Sequence, residues 1–153
     1  MWRVDREETI DGIDCYVMRT GLREMFFRKT DLASVRDGED DSRYSPPRRD
    51  YVWPLAVGSA WEQALTEDDG RGRPVRHSRW WSWVIEGEER VTVPAGTFQT
   101  VKITRRNALD NAIVVESWYA PATRLPVRIV EHLPNGRHER ELTNFRAAEP
   151  TAN

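Results

Sequence analysis

The sequence predicts an all-β protein: a single curved antiparallel sheet, a meander bent into a half-barrel, of about nine or ten strands. Three observations lead there. Apolar residues alternate in short β-rich runs, and no window sustains them at i, i+3, i+4 and i+7. Turn signals separate those runs at short intervals. Seven tryptophans stand in a chain that is only 39% hydrophobic and 31% charged, so rings that can each bury about 150–250 Å² replace aliphatic bulk.

The elements follow in order. Runs 2–10 and 13–20 flank Asp11-Gly12, the strongest short hairpin signal. Thr20-Gly21 leads into a third strand over 22–29. A short helix over 31–36 has weak support. Residues 37–50 are polar, then acidic, then proline-rich, and read as a loop. Pro54 disfavours helix at Trp53, so 51–55 should be extended. Gly58 permits a bend before a strand over 60–66. After a glycine-rich loop at 68–74 comes a long strand over 75–85, with Trp81, Trp83 and Ile85 on one face and Trp80, Ser82 and Val84 on the other. Glu86-Gly87 reads as a turn into 89–93, and Pro94-Ala95-Gly96 as another into 97–105. Asn107 to Asn111 is a loop before 113–119. Residues 121–124 lead to 125–133, and Pro134-Asn135-Gly136 turns into a closing strand over 137–145.

A chain of 153 residues makes one domain with a real core. The reading is one β domain over 1–146 and a disordered tail over 147–153. Net charge is -2, which gives no global field for nucleic acid or an acidic membrane. No apolar run approaches the roughly 20 residues of a transmembrane segment. The first residues, Met1-Trp2-Arg3-Val4-Asp5, do not read as a signal peptide. Cys15 is the single cysteine, so neither an intramolecular disulfide nor a thiolate cluster is available. Lys29 and Lys102 are the only lysines. The many guanidinium groups can stack on indoles.

Four boxes occur in order. They are Pro54-Leu55-Ala56-Val57-Gly58-Ser59-Ala60-Trp61, then Val93-Pro94-Ala95-Gly96-Thr97-Phe98-Gln99-Thr100-Val101-Lys102-Ile103, then Trp118-Tyr119-Ala120-Pro121, then Glu141-Leu142-Thr143-Asn144-Phe145. Together they resemble a group of uncharacterised bacterial envelope-associated proteins, similar in architecture to lipoprotein-localisation-factor half-barrels. Leu125-Pro126-Val127-Arg128 departs mildly from the Gly-x-Val-Lys-like strand of that group. The resemblance implies a periplasmic or otherwise extracytoplasmic setting and an apolar cavity. It brings no reaction, and fold likeness does not establish function.

Candidate chemistry is sparse. Trp53, Trp61, Trp81, Trp83, Phe98, Glu116 and Trp118 are the candidate lining of a concave face that could take a hydrophobic or amphipathic small molecule, a lipid or acyl chain. The same rings could simply fill the core. Glu116 shares a face with Val114 and Trp118, where it could orient a ligand or pair with an arginine. His77, His132 and His138 lie on different segments and form no metal motif. The acidic run Asp37-Gly38-Glu39-Asp40-Asp41 lacks ordered Ca²⁺-loop spacing. Gly70-Arg71-Gly72-Arg73 opens no helix and cradles no phosphate. No G-x-S-x-G elbow occurs. The expectation is therefore a non-enzymatic domain without cofactor or metal. The alternative to ligand binding is a protein–protein interaction module, including a homodimer, that uses a sheet edge or an exposed aromatic patch.

Overall fold

A computed structural model describes residues 3–38, 42–68 and 76–146, apart from the side chains of Arg76 and His77. Every regular element among them is a strand. Eleven strands succeed one another in one open antiparallel sheet: β1 (Arg3–Ile10), β2 (Ile13–Thr20), β3 (Arg23–Arg28), β4 (Ser34–Asp37), β5 (Ser42–Arg48), β6 (Ala60–Asp68), β7 (Arg76–Val93), β8 (Gly96–Asn107), β9 (Ile113–Ala120), β10 (Leu125–Leu133) and β11 (Gly136–Glu141). Strand order equals chain order, and the sheet is not closed into a barrel; β1 and β11 are its edges. The expected meander is present. The first hairpin forms where Asp11-Gly12 places it, with both residues at positive φ (49° and 78°) and Ile10 opposite Ile13. A two-residue turn of this hand matches the twist of the flanking strands.

Four local expectations need correction. Residues 31–36 are not helical: Leu32 takes a positive φ of 60° and β4 starts at Ser34. Residues 37–50 are not one loop either, because β5 lies between β4 and β6. Its prolines are tolerated because they fall where pairing lapses. The β6 register runs from Arg43↔Asp68 to Ser45↔Thr66, and the β4 register skips from Arg36↔Arg43 to Ser34↔Arg48. Pro46 and Pro47 occupy those gaps, where no ladder donor is needed.

The third correction is at Glu86-Gly87, which does not turn. β7 is one strand of 18 residues. Trp83, Ile85, Val91 and Val93 are all buried and all odd-numbered, so period two runs through Gly87 unbroken. Merging two expected strands and adding β4 and β5 accounts for the final number. The closing strand is also shorter than expected and ends at Glu141. Leu142 nevertheless stays tied in, donating to Val127 O (2.8 Å) and accepting from Ala95 N (2.9 Å).

The chain divides into two compact units. Unit 1 comprises Met1–Pro54 and Glu62–Trp81; unit 2 comprises Leu55–Trp61 and Ser82–Asn153. Unit 1 packs a small cluster of Cys15, Val17, Phe26 and Val35, with Ile10 and Ile13 against it. Charged and amide side chains brace the rest. Arg23 grips Asp37 through two hydrogen bonds (3.0 and 2.6 Å), as Arg28 does Asp31 (2.9 and 2.7 Å). Arg48 holds Asp50 and covers the Tyr44 ring at 4.6 Å. Buried Gln63 accepts from Arg49 N and donates to Pro47 O, both at 2.9 Å. Those two contacts hold the end of β5, which the prolines leave short of ladder bonds.

Unit 2 packs Val91, Val93, Trp118, Ala120, Val127 and Val130, with Ala95, Phe98 and Leu142 against them. Thr100 Oγ1 donates to Glu89 O (2.6 Å), and Thr92 and Thr97 hydroxyls meet at 2.9 Å, which fastens the β7–β8 hairpin.

Candidate functional site

The candidate residues fall into both units. Trp53 and Trp81 belong to unit 1, and Trp61, Trp83, Phe98, Glu116 and Trp118 to unit 2. In unit 2 the rings are packed in pairs and layers. Trp61 lies parallel to Trp83, with centroids 5.8 Å apart and planes within 9°. Trp83 is 1% exposed, and its Nε1–H is buried with no hydrogen-bond partner. Phe98 is half-buried against the cluster that contains Trp118.

Trp118 is clasped by charge. Lys102 lies directly across on β8 and Arg128 directly across on β10. Lys102 Nζ sits 5.0 Å from the indole centroid and the Arg128 guanidinium 4.9 Å. The indole Nε1 donates to Glu89 Oε2 at 2.9 Å. Two cations over one quadrupole stabilise the buried ring and cover it.

Glu116 sits two residues earlier on the same face of β9. Its carboxylate takes Lys102 Nζ on one oxygen and His132 Nε2 on the other, each at 2.9 Å. The carboxyl is held below the usual carboxylate range, chiefly by the His132 hydrogen bond and then by Lys102, against a smaller opposing effect of burial. Arg128 continues the row to Glu139 on β11 at 2.5 Å. The result is a ladder of cross-strand ion pairs over β8, β9, β10 and β11. Sequence reasoning found Glu116 and Trp118, and weighed Glu89 only as a carboxylate and His132 only as a metal ligand. It did not bring them, or Lys102 and Arg128, to this face. Alternation along β8 and β10 carried the signal, since it puts Lys102 and Arg128 opposite Trp118 once the two hairpins are in register.

In unit 1 the aromatic rings are more open. Trp53 is 43% exposed, stacks on Tyr51 (5.6 Å between centroids) and donates Nε1 to Asp31 O at 3.1 Å. Trp80 is 46% exposed and donates Nε1 to Glu62 Oε2 at 3.2 Å. Trp81 is half-buried. A polar hollow of about 220 Å³ is lined by Glu7, Glu8, Thr9, Asp14 and Lys29, none of them in the aromatic candidate set.

The other candidates carry no assembled chemistry. Cys15 is buried, and burial pushes its thiol pKa up, so it is a poor nucleophile. His138 is exposed on β11. The His77 side chain, Trp2, Glu39, Asp40 and Asp41 of the acidic run, the Gly70–Arg73 stretch and the tail from 147 lie outside the described residues. Among the described residues no group of three or more His, Cys, Asp or Glu side chains is placed to hold a metal ion. No helix there is long and apolar enough to cross a membrane.

No family model matches the chain, and no curated protein matches it. Among solved structures it is similar to a "putative lipoprotein" from Parabacteroides distasonis ATCC 8503, at 16% identity and a TM-score of 0.40, over 88% of this chain and 80% of that one.

Proposed function

We propose that this chain is a non-enzymatic β domain that acts by binding another macromolecule at its surface, in or beside the cell envelope. The observation that carries the binding mode is the split between its indoles. Trp83 and Trp118 are buried with their ring faces taken up by Trp61 or by cations, whereas Trp53 and Trp80 remain almost half exposed. Tryptophan, with an apolar ring and a polar N–H, is enriched at interfaces and among the residues that carry their binding energy. The envelope setting rests on the four-box resemblance. The row of Lys102, Glu116 and His132 reads as an ion-pair ladder, because the lysine neutralises the carboxylate that a catalytic histidine would need.

The other reading is a lipid or acyl chain held against Trp61, Trp83, Phe98 and Trp118. It requires those rings to open. Titration with palmitate and with lysophosphatidylcholine, followed by tryptophan emission, separates the two. The surface reading expects no saturable shift, and expects a photo-cross-linker at position 53 or 80 to give a discrete protein adduct in cells while one at position 85 gives none. A saturable shift that persists in the Trp53→Ala, Trp80→Ala double variant would overturn it.

A further inference from the structure

Resting on the reading that the chain works through macromolecular contact, we infer that its sheet edges bind a second copy of this chain, β1 of one copy pairing antiparallel with β11 of the next. These are the two edge strands, so one side of each carries backbone groups that no neighbouring strand takes up. Their charges match in one register. With Glu8 opposite Arg137, Glu7 falls opposite His138 and Arg6 opposite Glu139. Each position sets an acid against a base, and all six side chains belong to exposed residues. A slip of one residue in one direction puts Asp5 against Glu139. A slip in the other puts Glu7 against Glu139 and Arg6 against Arg140. Like charges directly opposite one another destabilise a sheet, so repulsion flanks the matched register on both sides. The match ends at Asp5, where the β1–β2 register shifts between Val4 and Arg6.

The occupant has to be another copy. In an antiparallel meander of eleven strands the first and last run in the same direction. Closing one chain on itself would therefore pair β1 and β11 parallel, and the antiparallel register exists only between chains. Pairing β11 with β11 about Glu139 sets Glu139 on Glu139 and His138 on Arg140. In the register one residue over, Glu139 meets Arg140, but that contact would not respond to changes in β1, so the Arg6 variant tells it apart. The contact is heterologous: each copy uses β1 on one side and β11 on the other. Main-chain hydrogen bonds supply affinity and the charges fix register. Arg6 keeps Glu24, Glu7 keeps Lys29 and Glu139 keeps Arg128, while the in-strand pairs Arg6–Glu8 and Arg137–Glu139 exchange for pairs across the contact.

Sedimentation velocity of the full chain, across concentration at low and high ionic strength, tests this. Association is expected to grow with concentration and to weaken with salt. Arg6→Glu alone and Glu139→Arg alone should each weaken it about five- to tenfold. An equimolar mixture of the two variants should restore it, because a reversed β1 then meets a reversed β11. Glu8→Arg and Arg137→Glu repeat the exchange at a second position. Because Arg6, Glu8, Arg137 and Glu139 all hold intrachain partners, circular dichroism verifies the sheet in every variant. A chain that stays monomeric at every concentration and salt overturns the inference. So does a mixture that associates no better than its components. Self-association that survives the charge exchanges but is lost in Trp53→Ala or Trp80→Ala defeats the edge register while leaving the surface reading standing.

Discussion

Unit 1 and unit 2 are built from the same alternating strands but hold them with different forces. Unit 2 buries a run of valines around Trp118 and keeps its ion pairs on a face of the sheet. Unit 1 buries a smaller cluster and relies on Arg23–Asp37, Arg28–Asp31 and Arg48–Asp50 to hold strands whose register is broken at β3–β4 and β4–β5. Burial of apolar area is non-directional and scales with area. A guanidinium–carboxylate pair must first offset the desolvation of both ions and then fixes a geometry. Unit 2 should therefore respond most to lost volume, and unit 1 most to displaced backbone or broken polar contacts.

The largest expected effect tests the volume half of that contrast. Trp83→Ala removes a fully buried ring and its stack with Trp61, and should cost about 3–5 kcal/mol. Trp83→Phe should cost much less. It keeps an aromatic ring against Trp61 and deletes an Nε1–H that is buried without a partner, a group that itself costs about 1–3 kcal/mol. Thermal or urea unfolding of both variants checks this. Equal losses would mean that the indole N–H is satisfied and that unit 2 does not depend on volume as described.

Next in size is a backbone test in unit 1. Gly38 donates to Glu24 O at 2.6 Å, and a Cβ built on it would stand 2.4 Å from that same oxygen. The neighbour is backbone and cannot swing aside. Gly38→Ala should therefore cost about 1–3 kcal/mol, as overpacking does, and should loosen the β3–β4 corner. Hydrogen exchange at Gly38 and Glu24 reads the corner directly. An alanine variant as stable as the parent would show that the corner is not held this closely.

The ion-pair ladder of unit 2 offers a smaller, pH-dependent effect. Glu116 titrates below the usual carboxylate range when folded, because His132 and Lys102 favour its anion. Its contribution is present above the pKa of the unfolded carboxyl and is lost as pH falls through the lowered folded value. Glu116→Gln should cost about 1 kcal/mol or less at neutral pH. The melting curves of variant and parent should converge in acid. A gap that stays constant with pH would make Glu116 a packing residue only.

What the sequence disclosed follows from range. Asp11-Gly12 and Pro94-Ala95-Gly96 act within a few residues, and both were legible. β5 was not, because Pro46 and Pro47 argue against a strand and the rest of the run is polar. Gln63 from β6 and the Arg48–Asp50 pair stabilise it from a distance. The candidate site was half legible for the same reason. Alternation put Glu116 and Trp118 on one face, but only hairpin register could bring Lys102, Arg128 and His132 to them. Alternation separated Trp83 from Trp80, three residues earlier, by face, and one is buried and the other open.

The smallest effect returns to the strand that both units share. A turn at Glu86-Gly87 would need glycine's freedom, and replacing it would then be costly. In β7 Gly87 is extended, its φ is not positive, and a Cβ there would meet nothing within 4 Å. Gly87→Ala should therefore be neutral or stabilising by about 0.4–1 kcal/mol, through lost freedom in the unfolded chain. Gly87→Thr should do at least as well, since branched side chains suit a pleated strand. Set beside Gly38→Ala, the pair opposes one glycine held by its neighbours to one held by nothing. Loss of stability in both Gly87 variants would restore the turn and divide β7 in two.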